Sequence, residues 1–199
     1  MASIRQLCPQ CCWIHNGQLI DQGDTEETLA NYIQSTLRLP TGANVPSTAS
    51  RSGTGRLRIR RIRFENADGD TLTTVQNGTD VTIAMDCEAA ADEHFTSVVA
   101  SLALLDDHDN YIWLVRSSFT REYFSFTGST TIRCHIHDLN VAQGTYRGVT
   151  FLSERDNEIL DNVRNAFTLT VVSGDFFGTG DQGLPTRCKT LTRSTWTHS

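Results

Sequence analysis

The sequence predicts an all-β domain, an immunoglobulin-like antiparallel β-sandwich, preceded by a short α/β segment. Three observations carry the prediction. From Arg56 onward seven β-rich runs follow one another: LRIRRIRFEN, DVTIAMDCEA, HFTSVVASLALLD, NYIWLVR, STTIRCHIHDL, TYRGVTFLSE and NAFTLTVVSG. Turn-forming stretches such as NADGD, QNGTD, DDHDN and SERDNE separate them, and no helical periodicity interrupts the series. Gly144-Thr145-Tyr146 opens the sixth run in the manner of a corner tyrosine, whose hydroxyl ties a sandwich strand to the loop before it.

Residues 1–37 differ from the rest. WIHNGQLI reads as strand, turn, strand, with the turn at Asn16-Gly17. A helix over DTEETLANYIQSTL follows, with Asp24 as N-cap and Glu27 three residues on completing a capping-box-like start. Its apolar Leu29, Tyr32, Ile33 and Leu37 recur at helical spacing, so one face is built to pack. Residues 38–55, RLPTGANVPSTASRSGTG, hold almost nothing large to bury and read as a linker. The sandwich then spans residues 56–199, with 174–199 as a tail. In its first run the apolar parity set by Leu57 and Ile59 changes before Ile62 and Phe64, which predicts a β-bulge at Arg60-Arg61.

A chain of 199 residues with 38% hydrophobic residues supports one main core. No apolar run approaches the roughly 20 residues of a membrane helix, and no signal peptide is recognised, so a soluble cytoplasmic protein is expected. Of six cysteines, Cys8, Cys11 and Cys12 are crowded while Cys87, Cys134 and Cys188 are scattered, which reads as free thiols. CPQCC has the close pair of a zinc knuckle but lacks a second pair, so no metal is expected. The net charge of −6 argues against nucleic acid.

Six arginines lie between Arg51 and Arg63, a pattern that either binds phosphate or guards the first strand, with the second reading favoured. The acids of DDHDN around His108, and Asp156, Glu158 and Asp161, sit in predicted turns, where Asp and Asn are favoured for backbone reasons. No nucleophile-elbow, zincin or P-loop motif is present, so no enzyme is expected. In STTIRCHIH, Ile132, Cys134 and Ile136 alternate with Arg133, His135 and His137. In TYRGVTFLSE an inward Tyr146, with Thr150 and Leu152, leaves Arg147, Val149 and Phe151 outside. An outer face bearing Arg, His and an aromatic suits sugar, since a ring covers C–H faces and polar groups take hydroxyls. A merely solvated face with one exposed Phe fits the pattern equally well.

IRQLCPQCCWIHNGQLIDQGDTEETLANY resembles the last segment of an ABC transporter ATPase domain, with Cys8, Trp13-Ile14, Gly17, Leu19-Ile20, Gly23 and Tyr32 at the matching positions. With the linker and sandwich, the whole resembles the Wzt-like ATP-binding subunits of O-antigen exporters. IRRIRFENADGD, NGTDVTIAMD, LNVAQGTYRGVTF and DNVRNAFTLTVVSGDFFGTG occur in the matching order. The resemblance implies that residues 1–37 are the end of an ATPase domain whose Walker and signature elements are not in this chain. ATP and Mg²⁺ then belong only to that domain, and residues 1–37 are expected to be poorly ordered or packed on another copy. It further implies a sandwich that binds the modified non-reducing end of the O-antigen polysaccharide, and a homodimer formed in some members by exchange of a C-terminal strand, here GLPTRCKTLTRSTWTHS. A transmembrane permease reached through the ATPase, and a cytoplasmic place at the inner membrane, follow from the same resemblance. The expected contact residues are Arg133, His135, His137, Arg147 and Phe151, with Trp113 as a further stacking candidate. The alternative is a purely structural dimerisation domain.

Overall fold

The structure, a computed structural model, describes residues 8–15, 17–25, 27–28, 44–46, 49–90, 93–155, 157–180 and 188–198. They fall in two compact units, Met1–Pro40 and Thr41–Ser199.

In the first unit, β1 (Gln10–His15) and β2 (Gln18–Asp24) form an antiparallel hairpin. His15 pairs with Gln18 across the predicted turn, where Gly17 adopts φ 78°, a conformation that favours glycine. The Glu27 amide donates to Asp24 Oδ1 at 3.4 Å, as an N-cap requires. Most of the predicted helix, residues 26 and 29–37, lies outside the described residues. Cys11 and Cys12 are neighbours on β1 and therefore point to opposite faces.

The second unit contains β3 (Arg51–Ser52), β4 (Leu57–Glu65), β5 (Val75–Gln76), β6 (Val81–Ala89), β7 (His94–Leu105), β8 (Tyr111–Arg116), β9 (Phe124–Thr127), β10 (Thr130–Ile136), β11 (Gly144–Glu154) and β12 (Glu158–Val172). A small sheet has the order β10-β6-β4 and a large one the order β3-β12-β11-β7-β8, with β5 on β12 and β9 on β7. Sheet pairing is antiparallel except for β5 with β12. The sheets enclose one core in which Phe64 of the small sheet meets Phe167 of the large one edge to face, centroids 5.5 Å apart. The predicted all-β sandwich is thus the observed fold. Tyr146 is buried and donates its hydroxyl to the Ala142 carbonyl at 2.8 Å, closing the corner before β11.

The predicted bulge is present. Ile59 faces Cys87 and Arg61 faces Asp86, so Arg60 is the extra residue and Ile62 and Phe64 return to the core. The last strand begins at Glu158 rather than Asn165, because Leu160, Asp161 and Val163 all point inward. The apparent turn residues Asp161 and Asn162 therefore belong to the sheet.

The reading of residues 38–55 as a linker is corrected in its second half. The Val45 amide donates to the Arg60 carbonyl, Arg51–Ser52 pairs with β12, and the Thr54 and Gly55 amides donate to Ile159 and Leu160. Small residues here permit close approach: a Cβ on Gly53 would sit 2.7 Å from the Leu160 carbonyl oxygen, and Gly53 has φ 118°.

Gly148 on β11 pairs with Phe167, whose ring atoms come within 2.1 Å of where a Cβ would stand. Gly148→Ala is therefore expected to lower the unfolding free energy by about 2 kcal/mol. The readout is a lower urea midpoint at unchanged slope.

Four of the six arginines of the cluster are engaged by carboxylates. Arg51 pairs with Asp161, Arg60 with Glu88, and Arg63 with Glu65 and Asp86. Arg56 reaches Glu93 at 2.6 Å, Glu158 at 2.8 Å and Glu154 at 3.2 Å, and lies over the Phe95 ring. Burial pushes the Glu154 carboxyl up, but the Thr96 amide and Arg56 outweigh it and hold it below the ordinary value. Glu154 then stabilises fully above its unfolded pKa of about 4.3, and that contribution disappears as pH falls through the lower folded value. Glu154→Gln is expected to flatten the acid limb of the melting temperature against pH.

Candidate functional site

The six expected contact residues divide between the two sheets. Arg133 and His135 lie on the outward side of β10 in the small sheet, with His137 just beyond its end, while Arg147, Phe151 and Trp113 belong to the large sheet. One surface formed by all six is therefore ruled out by topology.

On the small sheet the polar groups bond along the sheet. Arg133 Nε lies 3.4 Å from Glu65 Oε2, which Arg63 also engages, and Thr131 donates to Asp86 at 2.9 Å. His135 Nδ1 stands 2.8 Å from Thr82 Oγ1, and His137 Nδ1 3.2 Å from Asp80 Oδ2. The Asp138 amide and His137 hold the Asp80 carboxyl below its ordinary range. This face is a ladder of cross-strand polar pairs with no aromatic among them.

The outer face of the large sheet has a different character. On β7, Val98, Ala100, Leu102 and Leu104 face the core, so Val99, Ser101, Ala103 and Leu105 face outward. Register then fixes three rows across β8, β7 and β11: Tyr111–Leu105–Arg147, Leu114–Ala103–Val149 and Arg116–Ser101–Phe151. The middle strand contributes the small Ser101 and Ala103, while its neighbours contribute larger side chains. The result is a shallow, narrow slot along β7, whose floor the flanking side chains of β8 and β11 nearly cover: Ser101 is 5% exposed, Ala103 2% and Leu105 7%.

Two guanidinium groups frame the slot. Arg116 reaches from β8 across β7, donating to Ser101 Oγ at 2.9 Å and Ser118 Oγ at 3.0 Å, and lies 5.4 Å over the Phe151 ring. Arg147 reaches the opposite way, donating to the Asp106 carbonyl at 3.0 Å and Asp109 Oδ1 at 2.7 Å. Asp109 and Asn165, its third partner at 3.5 Å, both have positive φ, of 64° and 53°. Arg147 and Phe151 are four residues apart on one strand, about 13 Å. Between them the floor is Ala103 and the walls are Leu114 and Val149. Tyr111 at one end is 66% exposed and Leu114 is 50% exposed.

Trp113 does not join this face. It pairs with Leu104 and packs against the core, as does Val115. Ile112 is the extra residue of a bulge in β8, so Tyr111 and Trp113, which alternation would place together, point to opposite sides. The same bulge hid Leu114 and Arg116 from sequence reasoning, because alternation from an outward Trp113 turns both toward the core. β7 is apolar on both sides, so its parity gave no warning that Ser101 and Ala103 form a floor.

Asp106, Asp107 and His108 bring one ligand atom each within 4.8 Å of one another. The Asp106 carboxylate is already occupied by the His108 and Asn110 amides and the Asn110 side chain, so this group closes the β7–β8 turn. In the other acidic group, Asp156 lies outside the described residues, Glu158 pairs with Arg56, and Asp161 is buried in β12. All six cysteines are free thiols, and burial pushes Cys87 up to about 12 and Cys134 up to about 11. No helix among the described residues is long and apolar enough to cross a membrane.

Comparison with solved structures gives a match to the crystal structure of the C-terminal domain of Wzt, with a TM-score of 0.63 and 14% identity, covering 78% of this chain and 92% of that one. A Niemann-Pick type C2 protein from the Japanese carpenter ant gives a TM-score of 0.40 at 9% identity, covering 63% of this chain and 99% of that one. A family 2 β-glucuronidase gives a TM-score of 0.32 at 10% identity, covering 42% and 9%. No curated protein matches the chain. The model of the Wzt C-terminal domain family matches residues 48–182, well over half of the 199, from just before β3 to beyond the end of β12. The chain therefore belongs to the Wzt C-terminal domain family.

Proposed function

We propose that this domain is a non-catalytic glycan-binding module that takes the O-antigen polysaccharide, at its modified non-reducing end, on the outer face of the large sheet. The observation that carries the reading is the shallow slot along β7, where Leu114 and Val149 stand over a nearly covered Ala103 and guanidinium groups lie at both ends. Apolar walls suit the C–H faces of sugar rings, and Arg116, Arg147 and Ser101 offer hydrogen bonds to hydroxyls or to a terminal substituent. Family membership supports the rest of the proposal: an ABC exporter as the assembly served, with the permease met through its ATPase, at the cytoplasmic side of the inner membrane. No nucleic acid is proposed as a partner.

A shallow site of this kind is expected to bind in the millimolar to micromolar range, roughly −4 to −8 kcal/mol. Two sites in a dimer raise the apparent affinity where one glycan spans both. The test is affinity electrophoresis of the chain in gels containing polysaccharide, with and without its terminal modification. Retardation that is lost in Arg147→Ala/Phe151→Ala but kept in Arg133→Ala/His135→Ala supports the proposal. Equal mobility with and without polysaccharide contradicts it.

Exposed apolar side chains favour a second reading, dimerisation without glycan binding. Trp196 is 90% exposed near the end of the tail. Before it, the tail returns to its own chain: Ala142 donates to Lys189, Leu191 to Asn140, and Arg193 pairs with Asp138 and covers the Phe176 ring at 4.6 Å. The expected strand exchange would have to begin in residues 181–187, outside the described residues, or after Arg193.

A further inference from the structure

The guanidinium of Arg147, at one end of the slot, is already committed on one side. A guanidinium grips a carboxylate or phosphate at two points through one of two forks, either both Nη groups or Nε with Nη2. Both forks need Nη2. Its two hydrogens already have acceptors, the Asp106 carbonyl at 3.0 Å and Asp109 Oδ1 at 2.7 Å. Nη1 meets Asn165 Oδ1 at 3.5 Å. What is left for a ligand is Nε–H and one hydrogen of Nη1, which belong to no common fork and act singly.

The acceptors come from two separate places in the chain. Asp106 and Asp109 belong to the turn between β7 and β8, and Asn165 to a shift of register in β12. The Asp106 carbonyl is held by the turn itself, since it also accepts from the Asp109 amide at 3.3 Å. Asp109 and Asn165 have φ of 64° and 53°, where glycine sits without strain. Closing the turn asks for no carboxylate at 109. Instead, both positions carry a side chain whose oxygen reaches the same guanidinium, as residues that aim a binding group would.

We infer that the Arg147 end of the slot selects a neutral oxygen of the glycan, a hydroxyl or an ether oxygen, and rejects an anionic group, with Asp109 as the positioning residue that sets this preference. A neutral oxygen needs only one donor, and Arg147 has single donors to give. An anion finds no fork, a cation already compensated by Asp109, and the charge of Asp107 in the same turn. The inference rests on the glycan reading of the slot and narrows the chemistry that one end of it accepts.

The experiment compares the isotope-labelled full chain with its Asp109→Gly, Asp109→Asn and Arg147→Ala variants. The first probe is sodium phosphate at millimolar concentration, followed at the Arg147 backbone amide. The expected result is no saturable shift in the unchanged chain and a saturable one in Asp109→Gly, where Nη2 is released to complete a fork. The second probe is polysaccharide in affinity gels. Asp109→Gly is expected to weaken retention about tenfold, because Arg147 is no longer held in place. Asp109→Asn, which keeps an acceptor and tolerates the same φ, recovers most of that loss. The melting temperature of Asp109→Gly does not fall, so its weaker binding is not unfolding. A saturable phosphate shift at Arg147 in the unchanged chain overturns the inference, as does full retention of polysaccharide by Asp109→Gly alongside a loss in Arg147→Ala. Full retention by Arg147→Ala as well contradicts the glycan reading at this end of the slot, and the phosphate titration then decides by itself whether Arg147 rejects anions.

Discussion

Asp161→Ala is expected to lower the unfolding free energy by about 3 kcal/mol, because it removes one partner of a buried ion pair. Asp161 is 1% exposed, on β12 of the large sheet. Its carboxylate accepts from the Ile59 amide at 2.8 Å and meets Arg51 Nη1 at 3.3 Å. Arg51 in turn donates to the Ile59 carbonyl at 2.9 Å. Both groups thus fix the backbone beside the Arg60 bulge, which sets the inward parity of the rest of β4. Burial raises the pKa of Asp161, with the Ile59 amide and Arg51 working against it. The neutral Asp161→Asn keeps an acceptor for Ile59 and loses only the charge, so its expected loss is smaller, about 1 kcal/mol. Urea unfolding of both variants checks this; equal losses would show that the hydrogen bond to Ile59 is not what matters.

Phe151→Ala is expected to weaken polysaccharide binding about tenfold, or about 1.4 kcal/mol, the upper range for one aromatic contact. The ring is half-buried on the outer face, with Arg116 over it, so its loss both removes a platform and frees a guanidinium that the slot needs held. Stability should change little, because Phe151 is not among the core residues. Isothermal titration with polysaccharide, next to a thermal melt, separates the two effects. Unchanged affinity with an intact melt would remove Phe151 from the site.

The strands were legible because most of them alternate or run apolar between turn residues, and the bulge at Arg60 was legible because it breaks that alternation in view. What stayed hidden has physical causes. The bulge at Ile112 sits in a strand apolar on both sides, so no polar residue marks the change of face, and Trp113 was read as outward. Asp161 looks like a turn residue because charge is rarely buried, yet Arg51 and the Ile59 amide make burial tolerable here. Residues 44–46 and 49–55 look flexible because they lack bulk, although the Val45, Thr54 and Gly55 amides and the Arg51–Ser52 strand pair with β4 and β12. The division of Arg133 and His135 from Arg147 and Phe151 depends on which strands share a sheet, a long-range property that a single run does not display. Arg147 and Phe151 were placed on the outer face correctly because Tyr146 sets the parity of β11.

The central claim is that glycan meets the outer face of the large sheet. The most direct measurement is an NMR titration of the isotope-labelled chain with polysaccharide, following backbone amide shifts. The account predicts that the shifts concentrate on Ser101, Ala103, Leu114, Arg116, Val149 and Phe151. Shifts confined to Arg133, His135 and their neighbours on β6 and β10 would contradict it.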